Sequence, residues 1–130
     1  MKLIRTILLL SVIVIASSKC YAQKEIFIKQ IDFELEIVSD IDYENEYFMT
    51  LKLNKGSKYY FTITNGVNDA QGEAIFELLD ADNLILTNSL GDKYFDKISF
   101  ECNKTSFYDV LVRFKDNQLG HCQVDVSLIQ

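Results

Sequence analysis

Very few side chains in this chain are of the types that carry out chemistry, and their spacing narrows them further. His121 is the only histidine, and it abuts Cys122. A base beside a thiol suggests nucleophilic catalysis, but that chemistry also needs an oriented nucleophile and a third group holding the imidazole. No Gly-x-Ser-x-Gly elbow occurs in the chain. Asp80, Asp82 and Asn83 gather oxygen atoms of the sort calcium prefers. They lack the glycine at the sixth place and the glutamate at the twelfth that an EF-hand loop requires. Calcium at these three residues is the one cofactor expectation, set against a plain hairpin turn. Zinc lacks ligands, with one histidine and two cysteines that are expected to be oxidised.

Carboxylates are plentiful, and a pair of them could hydrolyse a glycoside. Asp80, Asp82, Asp92, Asp96 and Asp116 are the candidates. Most sit in turn-forming stretches, where aspartate is favoured for hydrogen bonds to its own backbone. No catalytic residue is therefore expected. Tyr60 faces away from Tyr59, Phe61 and Ile63, as an exposed aromatic platform for a sugar or a protein would.

The elements that must position these groups are strands. Ile98, Phe100 and Cys102 share one face of a run that puts Ser99 and Glu101 on the other. Tyr108, Val110, Val112 and Phe114 oppose Asp109 and Arg113, and Cys122, Val124, Val126 and Leu128 oppose Gln123, Asp125 and Ser127. Successive strand side chains point to opposite faces, so Cys102 and Cys122 both fall on apolar faces. The expectation is a Cys102–Cys122 disulfide inside a β-core. It would close a loop of about 20 residues and add roughly 3 kcal/mol.

The front of the chain supports an oxidising destination. Lys2 and Arg5 precede an apolar run from Ile7 to Ala16, then Ser17 to Ala22. A basic start, an apolar stretch of about ten residues and a small residue before a polar one mark a secretory signal peptide, with cleavage expected after Ala22. A spanning helix needs about 20 apolar residues, and Lys19 ends this run sooner, so no membrane span is expected after cleavage. Removing residues 1–22 leaves 108 residues, two cysteines, and ten basic against nineteen acidic side chains. That length suits a single domain, residues 23–130. The negative balance excludes nucleic acid and anionic membrane surfaces, which need clustered Lys and Arg.

Residues 23–30 read equally as helix or strand. From Ile31 to Tyr47 apolar residues hold odd positions and acidic ones even positions, which predicts two strands broken near Ser39-Asp40. The second continues through Phe48–Leu53, and further strands follow at Lys58–Thr64, Ala74–Leu79, Leu84–Thr87, Tyr94–Cys102, Phe107–Phe114 and Cys122–Ile129. Turns at Asn54–Ser57, Asp80–Asn83 and Leu90–Asp92 separate several of them. Seven or eight short strands with turns at this spacing predict an all-β antiparallel sandwich of jelly-roll type.

Leu51-Lys52-Leu53-Asn54-Lys55-Gly56 leading into Tyr60-Phe61, then Phe76-Glu77-Leu78-Leu79-Asp80, then Tyr108-Asp109-Val110-Leu111-Val112, resemble the bacterial pre-peptidase C-terminal domain and related secreted jelly rolls. The resemblance covers Leu51–Leu128; it departs at Ser106, where that family has glycine, and in the cysteine pair. It implies a non-catalytic module that accompanies or binds other secreted or surface material, sometimes with calcium. The expected function is thus an exported, non-enzymatic binding or accessory module, secreted or periplasmic. Its partner would be a protein or glycan of the envelope or extracellular medium. Two rivals stand beside it: a small exported carboxylate-dependent glycan hydrolase, and a structural or inhibitory protein pairing through a sheet edge.

Overall fold

The computed structural model describes residues 24–130. The signal-peptide reading of residues 1–22, and Cys20 with it, lies outside the described residues. In chain order the strands are β1 (Glu25–Leu35), β2 (Tyr47–Leu53), β3 (Lys58–Thr64), β4 (Ala74–Asp80), β5 (Asn83–Thr87), β6 (Ser89–Leu90), β7 (Lys93–Tyr94), β8 (Lys97–Glu101), β9 (Ser106–Phe114) and β10 (Gly120–Ile129).

Eight of these strands form two four-stranded antiparallel sheets, ordered β1-β10-β3-β8 and β2-β9-β4-β5. The first strand pairs with the last, and successive strands alternate between sheets until β4 and β5 close a hairpin. That connectivity is a jelly roll. The ten strands exceed the seven or eight expected for two reasons. Leu90-Gly91-Asp92 turns inside a two-residue hairpin, β6–β7, and the predicted strand Tyr94–Cys102 breaks at Phe95-Asp96, leaving β8. The ambiguous stretch after residue 23 is strand, the first half of β1.

The inward parity follows the alternation. Ile31, Phe33, Phe61, Ile63, Val124 and Val126 from one sheet meet Phe76, Leu78, Val110, Val112 and Phe114 from the other, all buried. Phe61 packs on Phe76 with ring centres 4.8 Å apart, and Phe33 stacks on Phe114 at 5.3 Å. Such aromatic pairs add to the area they bury. Asn88 is the polar exception in this layer. Its Oδ1 accepts from the Phe76 N–H at 2.8 Å and its Nδ2 donates to the Ala74 carbonyl at 3.1 Å. It thereby continues the ladder where β5 has ended.

Two expectations are corrected here. Of the two strands predicted over Ile31–Tyr47, the first ends at Leu35 and the second begins only at Tyr47. Ser39 and Asn45 then fold the chain into a one-turn 3-10 helix, Asp42–Asn45. Asn45 is buried, accepting from the Ser39 N–H at 2.8 Å and donating to the Ser39 carbonyl at 2.9 Å. Side-chain to backbone bonds of this kind compete with strand pairing.

The second correction is the disulfide. Cys102 and Cys122 are both buried, as their parity required, but both are free thiols. Cys102 exchanges backbone hydrogen bonds with Ser57 and Gly56, before β3 begins. Gln123 pairs with Thr64, the last residue of β3, which sets Cys122 beyond that strand's other end. With seven residues of β3 between them, the α-carbons lie more than about 20 Å apart at 3.3 Å per residue. A disulfide needs them within about 7 Å.

Candidate binding surface

One end of the sandwich collects the end of β1, the starts of β2, β4 and β10, and the end of β9. The register fixes this, since Leu35 faces Gly120, Tyr47 faces Val112 and Ala74 faces Phe114. Between the strand ends lies a cleft of about 700 Å³, lined by Glu34–Glu36, Ala70–Gly72 and Gln118–Gly120. That volume is within the range of small-ligand and side-chain pockets.

Two glycines make the cleft. A Cβ on Gly120 would sit 2.5 Å from the Phe114 ring, and one on Gly72 would sit 2.5 Å from the Leu119 carbonyl oxygen. The backbone therefore lies directly on Phe114, whose ring the sequence had marked as core. The flanking loops turn through left-handed residues, Asn68 and Asp69 on one side and Asp116 and Asn117 on the other. Asn and Asp tolerate that region because their short polar side chains bond locally. Asn65 ties the first loop to the sheet, accepting from the Ala74 N–H at 3.1 Å and donating to Glu73 at 3.2 Å.

Beside the cleft, His121 Nε2 approaches Asp32 Oδ1 to 2.6 Å, and Gln123 donates to Asp32 Oδ2 at 3.2 Å. These bonds, from Gln123 first and His121 second, hold the Asp32 carboxyl below its ordinary value. A His–carboxylate pair is two-thirds of a triad, but among the described residues no group hydrogen-bonds the other ring nitrogen, the buried His121 Nδ1, as a nucleophile would. Cys122 lies on the opposite face of β10, and burial pushes its thiol up to about 12. A thiol that weakly acidic is inert as a nucleophile near neutrality.

The other sequence candidates are dispersed. Asp80 and Asn83 pair across the β4–β5 hairpin, with Ala81 and Asp82 left-handed between them. Asp80 Oδ2 also meets Lys104 Nζ at 3.3 Å. Among the described residues, no group of three or more His, Cys, Asp or Glu is placed to hold a metal ion. Asp116 lies past the opposite end of β4, so it and Asp80 cannot act on one glycosidic bond. Tyr60 is covered by Lys97, whose Nζ stands 4.2 Å from the ring centre. It is half-buried rather than an open platform.

The feature that sequence reasoning missed is the crossing from β1 to β2. Of the odd-numbered residues expected on one apolar face, Ile37, Ile41 and Tyr43 are in solvent, Ile37 81% exposed and Tyr43 71%, and the even-numbered Val38 is exposed beside them. They are interleaved with Glu36, Asp40, Asp42, Glu44 and Glu46, and from Asp32 to Tyr47 there is no Lys or Arg. Leu119, on the cleft rim, is exposed too. The available signal was Ser39, which begins a side-chain-bonded turn.

No family model matches the sequence, and no curated protein matches it significantly. Solved structures do match. The pre-peptidase C-terminal domain of a collagenase from Bacillus anthracis superposes with a TM-score of 0.56 at 15% identity, over 75% of this chain and 87% of that one. The fold is that of a pre-peptidase C-terminal domain. PliG of Aeromonas hydrophila, a periplasmic inhibitor of g-type lysozyme, superposes with a TM-score of 0.50 at 14% identity, over 82% of this chain and 84% of that one. No helix among the described residues is long and apolar enough to cross a membrane.

Proposed function

We propose that this protein is an exported, non-catalytic jelly-roll module that binds a basic protein partner through the cleft end of the sandwich. The observation that carries the reading is the β1–β2 crossing, where exposed Ile37 and Tyr43 stand among carboxylates with no Lys or Arg near in sequence. An apolar anchor inside a charged rim is the usual anatomy of a protein interface. A single-sign rim also speeds encounter with a partner of opposite charge. The partner belongs to the envelope or the extracellular medium, because residues 1–22 read as a cleaved leader. The collagenase domain and the lysozyme inhibitor, which share the fold, support such a setting.

The unfinished His121–Asp32 pair and the scattered aspartates argue against hydrolysis. Calcium is not needed by this account, since the Asp80–Asn83 turn is closed by its own ladder and by Lys104.

The test is affinity capture from the producer's envelope and medium fractions, with a g-type lysozyme as a defined probe alongside. Capture of a basic protein that weakens with added salt and with Tyr43→Ala supports the reading. Turnover of a glycan by the purified protein, or capture that neither salt nor Tyr43→Ala affects, overturns it.

A further inference from the structure

The free edge of β8 carries a second interaction surface, independent of the cleft. Asp96 accepts from the Ile63 N–H, and Cys102 exchanges hydrogen bonds with Ser57 and Gly56. Even-numbered residues of this strand therefore turn their backbone groups toward β3. In an antiparallel ladder the alternate residues turn theirs the other way. Lys97, Ser99 and Glu101 thus present N–H and C=O groups along an edge that no strand among the described residues covers, since β8 is last in its sheet.

The five residues Lys97-Ile98-Ser99-Phe100-Glu101 are complementary to themselves when reversed. A two-fold axis at Ser99 sets Lys97 opposite Glu101 of a second copy, twice, and sets Ile98 opposite Phe100. Within its own chain Lys97 lies over Tyr60 and 3.4 Å from the exposed Glu25, and it exchanges that surface pair for the one across the axis. All three odd-numbered residues then fall in hydrogen-bonded pairs, giving about six main-chain bonds. Opposite charges across strands stabilise such pairs, and a self-complementary patch is what a two-fold dimer requires. Phe61 over Phe76 and Phe33 beside Tyr47 align the sheets so that β5 flanks β8 on the same side. There Leu84 and Ile85, 52% and 42% exposed, would be screened by the same axis.

We infer that the protein self-associates through antiparallel pairing of β8 with β8 of a second copy, in register about Ser99. A five-residue edge is a small contact, so the dimer is weak and concentration-dependent.

Sedimentation equilibrium of the purified protein over a range of concentrations tests this. The expected result is a monomer–dimer equilibrium that Lys97→Glu weakens roughly tenfold, because like charges then face each other twice. Adding Glu101→Lys to that variant restores the opposite-charge pairs and the dimer. Ser99→Pro abolishes association without costing a ladder bond, since the Ser99 N–H faces the free edge. Circular dichroism confirms that each variant folds, and the charge-swapped pair stands alone if the proline variant does not. A monomer at every concentration overturns the inference, as does a dimer indifferent to Ser99→Pro or a swap that restores nothing. Association with an added unrelated strand but not with itself would also overturn it.

Discussion

His121 Nε2 and Asp32 Oδ1 lie 2.6 Å apart on adjacent antiparallel strands, joining the outer face of β1 to that of β10. Gln123 completes the clasp from the same strand as His121. The Asp32 carboxyl is therefore more acidic folded than unfolded, where it titrates near its ordinary value of 3.8. A group shifted that way adds stability above the unfolded value and loses it as pH falls through the folded one. Melting temperatures measured from about pH 5 downward should therefore fall for the wild type as acid protonates Asp32. In Asp32→Asn the part of that fall due to this carboxyl should be missing, giving a shallower curve.

The two cysteines yield a chemical prediction. Thiol titration of residues 23–130 should find two reactive groups, Cys102 and Cys122, after denaturation and few before it, because both are buried. A reductant should leave the melting temperature unchanged. A mass corresponding to loss of two hydrogens would reinstate the disulfide.

Strand parity was readable without coordinates where inward residues recur at every second place. Lys58–Thr64 and the apolar faces of β9 and β10 came out as expected because sandwich strands leave one face wet. The cysteines show the limit of that reasoning. Period 2 assigns a side chain to a face but not to a position along the neighbouring strand, and here both thiols point inward at opposite ends. Residues 36–46 show another limit. Alternating acidic and apolar residues there served a turn held by Ser39 and Asn45, so the alternation never reached a sheet. The cleft was also hidden, since Gly72 and Gly120 have meaning only once Phe114 lies beneath them.

Gly120→Ala should be destabilising out of proportion to its size. The added methyl would meet the Phe114 ring at 2.5 Å, and that ring is stacked on Phe33 in the core. Overpacking of this sort costs about 1–3 kcal/mol. Chemical denaturation of both proteins checks it through the midpoint shift.

Chelation should have no effect on stability. Asp80 is bonded to Lys104 and laddered to Asn83, so the β4–β5 hairpin closes without a cation. A melting temperature that drops with chelator and recovers on adding calcium would restore the calcium site at Asp80, Asp82 and Asn83.

The most direct trial of the central claim is calorimetric titration of the captured basic partner with wild type, Ile37→Ser and Tyr43→Ala, using Phe107→Ala on the outer face of β9 as control. Removing a central anchor typically costs about 2 kcal/mol or more, so both crossing variants should bind at least about tenfold more weakly while the control binds normally. Equal affinity for all four proteins would contradict the account.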